Sequence, residues 1–291
     1  MAKNRQFKNL IKLGISPVQG NFDIDHLKEI HRRICDGESD FSPGTFRHPV
    51  DSGKDQTKNR QLASVDAQSF VVYSSMNDES MEELETILAK ADPKCLRDLG
   101  TEDFIKEISE IYSQLDYIHP FEDGNSRTLR VFVRQLAEES GYYLDWSIFN
   151  ASDVARDKLY IARDNAVRQI SYARIQDVGN KQRVTLSSDM LGNNITILDL
   201  LNGAIKPERS RAWAQSPENA LKKYPELERA YAALQSAKAH FADKLLGDAY
   251  AQQKAVSAVN RYIQERLDKG YVDGFHAISK IKFPNKGERK E

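Results

Sequence analysis

Residues 119–130 read His-Pro-Phe-Glu-Asp-Gly-Asn-Ser-Arg-Thr-Leu-Arg. Within these residues fall a proton acceptor, a magnesium-type carboxylate, a glycine turn and two arginines. His119 can take a proton from a hydroxyl, since an unperturbed imidazole titrates near about 6.5. Of the adjacent acids, Asp123 is the better metal ligand, and Glu122 is read as facing solvent. Magnesium usually takes one or two carboxylates together with phosphate oxygens and water. Gly124 allows backbone angles that other residues resist, and Asn125 is a natural N-cap. Unpaired N–H groups at the start of a helix, where its dipole is positive, form an anion site. Arg127 and Arg130 are three apart and can share a face beside that site, where guanidinium forks suit phosphate oxygens. Each residue also has a plainer reading: a helix-terminal histidine, helix-N-terminal acids, two solvated arginines. Together they supply base, cation, anion hole and phosphate clamps. That is the equipment for in-line attack on a phosphoanhydride, moving a nucleotide onto an acceptor.

Such a loop needs rigid supports. The pattern reads as a helix over Thr101–Ile118, with Phe104, Ile105, Ile108, Ile111 and Leu115 as its apolar stripe. Pro120 disfavours helical backbone at His119 and should end that helix. A second helix is read over Arg127–Ser140, opened by Gly124-Asn125-Ser126 and carrying Leu129, Phe132, Val133 and Leu136. Phe121 is the expected anchor that holds the loop between them. Upstream, residues 24–36 show helical spacing and stop at Gly37, and Met81, Leu84, Ile87 and Leu88 form another stripe. Val154, Leu159, Ile161 and Ala162 suggest one more. Residues 38–60 read as loop, and the β-favouring run Ser69–Tyr73 suggests a small hairpin within 44–73. Antiparallel helices with short connections would bury these stripes as a bundle.

A second region is expected from residue 186, giving domains 1–185 and 186–291. Residues 198–207 read as a short helix stopped by Gly203 and Pro207, and 218–235 and 237–270 as longer ones. Ser216-Pro217-Glu218 is a helix start, and Pro284–Glu291 a charged, frayed end.

Composition excludes several classes. At 40% apolar and 29% charged, the chain of 291 residues is of ordinary globular type. No run nears the roughly 20 apolar residues of a membrane span, and the basic N-terminus lacks the apolar core of a secretory signal. Cys35 and Cys95 form no metal or redox motif and read as inert thiols of a reducing compartment. Residues 201–291 hold 17 Lys and Arg against 11 Asp and Glu. So mild an excess reads as a solvated surface, with nucleic acid an unlikely partner.

The stretch resembles the signature of the Fic (filamentation induced by cAMP) family, His-x-Phe-x-(Asp/Glu)-Gly-Asn-Gly-Arg-x-x-Arg. His119, Phe121, Asp123, Gly124, Asn125, Arg127 and Arg130 match it. The helix bearing His26 and His31, and Gly44-Thr-Phe-Arg47 ahead of the hairpin, are similar to further parts of that family, and the resemblance covers roughly residues 20–175. It implies a mainly α fold: a Fic-type helical bundle with a small β-hairpin flap, here with a helical C-terminal appendage. It implies transfer of AMP from ATP to a hydroxyl of a target protein. In that scheme His119 is the base, and Asp123 holds Mg2+. The backbone of Gly124 to Ser126 and the Asn125 side chain receive phosphates, and Arg127 and Arg130 hold the β- and γ-phosphates. The flap, within 48–73, would hold the target by strand addition.

Ser126 departs from the pattern, which has glycine there. If that position needs positive φ, serine is strained, and the chain could be a binding module with weakened catalysis, or could transfer UMP, phosphate or phosphocholine. The family's inhibitory motif, (Ser/Thr)-x-x-x-Glu-(Gly/Asn), comes nearest at Ser75–Ser80, which ends in serine and is read as a helix cap. The resemblance therefore implies either a bacterial cytoplasmic toxin held by a separate small antitoxin, or an effector injected into a host cell. Topoisomerase subunits and host GTPases are the corresponding target classes.

Overall fold

The computed structural model describes residues 2–192 and 194–275. The chain divides into two compact units, 1–205 and 206–291. The first unit continues past the expected boundary at 185. Helix 178–191 runs through that point, and Ile197, Leu201, Ala204 and Ile205 are buried in the first unit's core.

The first unit contains helices α1 (Ala2–Ile15), α2 (Ile24–Ile34), α3 (Asp78–Ala89), α4 (Pro93–Arg97), α5 (Thr101–Ile118), α6 (Asn125–Glu139), α7 (Asp153–Ser171), α8 (Val178–Leu191) and α9 (Ile197–Ala204). A hairpin of β1 (Gln56–Gln61) and β2 (Gln68–Tyr73) interrupts them between α2 and α3, and a short strand β3 (Tyr142–Leu144) follows α6. The mainly α bundle with one small hairpin is thus the architecture expected from the periodicity.

The central helix α5 has the expected bounds. Phe104, Ile108, Ile111 and Leu115 are fully buried. Each such side chain contributes roughly 1.5–3 kcal/mol, so packing rather than propensity holds the helix. Three readings are corrected. Val154 is exposed and lies off the core face of α7, which buries Leu159, Ala162 and Val167 instead. β1 falls inside the segment read as loop, because Gln-Thr-Lys-Asn-Arg-Gln has no apolar residue to signal a strand. Ser75–Ser80 caps α3 as expected: the Asn77 side chain accepts from the Ser80 N–H, and Glu79 lies in the helix's first turn. Gly203 lies within α9 instead of ending it. α1 was not foreseen. It packs on α2, where its Asn9 donates to the Ile34 carbonyl, and it contains no glutamate.

β1 and β2 pair antiparallel, Gln56 opposite Tyr73 and Gln61 opposite Gln68. A strand as polar as β1 needs outside support, and α7 supplies it. Asp157 accepts the N–H groups of Ala63 and Ser64 at 2.7 and 2.6 Å, Asp164 pairs with Arg60, and Arg168 donates to Ser69 Oγ. Hydrogen bonds to a charged partner contribute about 1.5–3 kcal/mol. Asp157→Ala should therefore speed amide exchange at the hairpin turn relative to α5. Unchanged protection at Ala63 and Ser64 would show that the carboxylate does not pin the turn.

The second unit has α10 (Glu208–Trp213), α11 (Pro217–Lys223), α12 (Glu228–Lys244) and α13 (Ala249–Asp268). Its core gathers Trp213, Leu227, Phe241, Val259, Ile263 and Leu267. Ser216 caps α11 as expected. The two long helices were misplaced: Pro225 interrupts the first, and the break between them falls at 245–248, where Gly247 takes φ 81°. Pro284–Glu291 lies outside the described residues.

Candidate active site

The loop between α5 and α6 is built around two buried rings. Phe121 is fully buried and stacks on His31 of α2, with ring centroids 3.8 Å apart and planes at 4°. His31 is itself fixed at both nitrogens. Gly44 N–H donates to Nδ1 at 2.8 Å, so Nε2 carries the hydrogen and donates to the Asp123 carbonyl at 3.0 Å. Burial lowers its pKa to about 4, which keeps the ring neutral. Gly124 takes φ 77°, and a Cβ there would stand 2.9 Å from Cys35 Sγ and 3.2 Å from His31 Nε2. Only glycine fits so close a turn. Burial pushes the Cys35 thiol up to about 11, consistent with an inert packing role.

His119 ends α5 in left-handed backbone, φ 49° and ψ 57°, with its N–H on the Leu115 carbonyl. A non-glycine residue in that region is held there by its surroundings. Its carbonyl accepts from Arg47 Nε at 2.9 Å, Arg47 N–H donates to the Pro120 carbonyl, and the Tyr73 ring of the hairpin stacks on the imidazole at 3.7 Å. Burial, and then the facing cations Lys58, Arg163, Arg47 and Arg60, hold this imidazole well below its ordinary pKa. It is therefore neutral at pH 7 and able to accept a proton.

Gly124, not Asn125, is the N-cap of α6. Asn125 is the first helical residue, and its side chain is buried and tied to the Phe121 backbone. It accepts from the Phe121 N–H at 2.9 Å and donates to the Phe121 carbonyl at 2.6 Å. Its amide group thus braces the loop, and the contribution open to a phosphate is its backbone N–H. The first N–H groups of a helix have no intrahelical partner, so the α6 start leaves the N–H groups of Asn125 and Ser126 open to an acceptor.

Asp123 and Glu122 are exposed. Asp123 Oδ2 pairs with Arg127 at 3.0 Å. Among the described residues, no three His, Cys, Asp or Glu side chains gather to hold a metal. One carboxylate beside a phosphate site still fits Mg2+, which takes most of its ligands from phosphate and water. Arg127 would then exchange its partner for a phosphate. Arg130 follows one turn later, its Nε donating to the Ser126 carbonyl.

Ser126 lies within α6 and is absent from the positive-φ residues. Serine is unstrained there, and its hydroxyl accepts from Arg163 of α7 at 2.7 Å. Arg163 also grips Asp116 of α5 with two bonds, 3.0 and 2.6 Å, and both side chains are 1% exposed. Asp116 and Arg163 escaped the sequence reading. Their signal was a charged residue on each core-facing stripe: Asp116 one turn after the buried Tyr112, and Arg163 between Ala162 and Val167.

Residues 21–137, from the approach to α2 through most of α6, match the Fic/DOC family model. The chain is 25% identical over 191 residues to the protein adenylyltransferase VbhT of Bartonella schoenbuchensis, covering 65% of this chain and 37% of that protein. It is 25% identical over 123 residues to the probable protein adenylyltransferase Fic of Salmonella typhimurium, covering 42% and 54%. The chain thus spans between about a third and about half of the length of these curated relatives. Among solved structures, BepC from Bartonella tribocorum, a VirB-translocated effector solved with bound AMPPNP, aligns with TM-score 0.48 and 18% identity over 71% of this chain and 85% of that one. The match over 21–137 contains the hairpin, the anion site and every signature residue, and residues 21–137 are a Fic/DOC family domain.

Proposed function

We propose that the chain is a protein adenylyltransferase that moves AMP from ATP onto a hydroxyl of a target protein. The observation that carries this is the juxtaposition of a neutral, buried His119 with the unpaired N–H groups at the start of α6. In this reading the imidazole takes the proton of the target hydroxyl. Its oxygen forms a bond to the α-phosphorus as the bond to the leaving pyrophosphate breaks. The N–H groups of Asn125 and Ser126 receive phosphate oxygens, and Arg127 and Arg130 neutralise the leaving charge. Asp123 would hold Mg2+, which when bound neutralises phosphate charge and orients the leaving group. The hairpin, held on α7 through Arg60 of β1, the turn and Ser69 of β2, offers β1 as the edge for an extended target segment.

Several relatives bear the name protein adenylyltransferase, which supports this chemistry over transfer of another moiety. A binding module crippled by Ser126 was the competing reading. It required strain at that position, and Ser126 has ordinary helical backbone. No helix among the described residues is long and apolar enough to cross a membrane. Both a toxin restrained by a separate antitoxin and an injected effector fit a chain whose nearest match to the inhibitory motif is the cap of α3.

Incubation with a target lysate, magnesium and either α- or γ-labelled ATP tests the reaction. Label from the α position only is expected. Label from γ would assign phosphate transfer, and no label from either would overturn the proposal. Growth arrest on expression, relieved by His119→Ala, would identify a toxin.

A further inference from the structure

We propose that Asp116 and Arg163 are positioning residues for His119, and that the Ser126 hydroxyl holds the set in register. The inference rests on the reading of His119 as a base and adds residues that the signature does not contain. Arg163 also lies outside the stretch matched to the family.

The argument starts from an unsatisfied atom. His119 Nδ1 is buried and has no hydrogen-bond partner. Leaving a buried polar nitrogen unpaired costs about 1–3 kcal/mol. The acid facing it is Asp116, whose Oδ1 stands 3.9 Å away, one turn back on α5. That distance is too long for a hydrogen bond and short enough to close with a small shift of the ring. Catalytic hydrogen bonds are often long before the reactants bind. With Asp116 accepting from Nδ1–H, the imidazole proton sits on Nδ1, and Nε2 is left bare to accept a proton from a hydroxyl.

Asp116 cannot hold that role alone. A buried carboxylate needs a partner, and Arg163 supplies one through Nε and NH2. The remaining arm, NH1, donates to Ser126 Oγ. The guanidinium therefore spans from the carboxylate behind the base to the first turn of the anion site. Glycine at 126 would leave that arm without its acceptor, so the departure from the signature is a working part of this chain's site. The other groups facing His119 are Lys58 and Arg60 of β1, Arg47, and Tyr73 of β2. These charged groups are cations, and Asp116 is the carboxylate that stands against Nδ1.

The imidazole 15N spectrum of the full chain tests this without any substrate. His119 is assigned from the signal lost in His119→Ala. The wild type should show Nδ1 protonated and Nε2 bare at pH 7. Asp116→Ala should shift the tautomer toward Nε2–H. Because that variant leaves Arg163 unpaired, the double replacement Asp116→Ala with Arg163→Met serves as the folded control and should show the same shift. Ser126→Ala should move the tautomer in the same direction, and Ser126→Thr, which restores a hydroxyl, should return it. In the pH–rate profile of AMP transfer, loss of the anion should move the acid limb to lower pH and cut the plateau on the order of 10²-fold. A wild-type His119 protonated on Nε2, or a tautomer unchanged in the double variant, would overturn the proposal even if α-label transfer is robust. Conversely, absence of label from any nucleotide sinks the transferase reading while the spectrum still reports on the dyad.

Discussion

His119→Ala should lower AMP transfer by about 10²–10⁴-fold, the usual contribution of a positioned general base, while ATP binding changes little. In the proposed reaction the side chain takes no part in phosphate binding, which falls to backbone N–H groups at the start of α6 and to Arg127 and Arg130. Its loss removes the proton acceptor and leaves the phosphate contacts in place. Alanine would still have to occupy the left-handed backbone at φ 49°, because Arg47 and Pro120 hold the turn through main-chain bonds. The loop should therefore keep its shape. Calorimetric titration with ATP and α-label transfer, run on the same preparations, separate the two effects. Equal transfer by wild type and variant would remove the imidazole from the chemistry. A parallel loss of ATP affinity would mean that the loop had collapsed and that the ring is structural.

Arg163→Ala should destabilise the first unit by about 3–5 kcal/mol, the cost of leaving a buried charge without its partner. Asp116 is 1% exposed and would keep its carboxylate in the interior. Replacing both partners by apolar residues of similar volume should cost far less, since no charge is then stranded. Urea denaturation of the two single variants and the double variant closes the cycle. A single-variant loss below about 1 kcal/mol, the range of exposed pairs, would show that water reaches the pair. The same ladder separates Arg163 from Arg127, whose partner Asp123 is exposed and whose pairing should contribute little to stability.

The helices that carry the site were legible because each repeats its apolar residues at helical spacing. α5 ends where Pro120 demands, and α6 begins at the glycine turn. The hairpin was half legible: β2 announces itself by Phe70, Val71, Val72 and Tyr73, whereas β1 is polar and is a strand through its pairing with β2, with Asp164 of α7 on its Arg60 and Asp157 on the turn. α1 was invisible for a related reason, since it leaves Phe7, Ile11 and Ile15 exposed and packs through Leu13 and two polar residues, Gln6 and Asn9. The roles inside the loop were legible by residue type and not by partner. Asn125 is a natural cap by composition, yet its amide braces Phe121.

The sequence alone determined the groups on offer: an imidazole, a carboxylate, a glycine-led helix start and two arginines within one loop and one helical turn. Those follow from residue type and local spacing, which the chain carries without folding. What the tertiary structure decided is what stands around His119. Asp116, Ser126 and Arg163 are separated by as many as 47 positions and meet only because α5, α6 and α7 pack together. A buried guanidinium must satisfy its donors wherever the fold places acceptors. Here the fold places one acceptor behind His119 and another on the serine that departs from the signature.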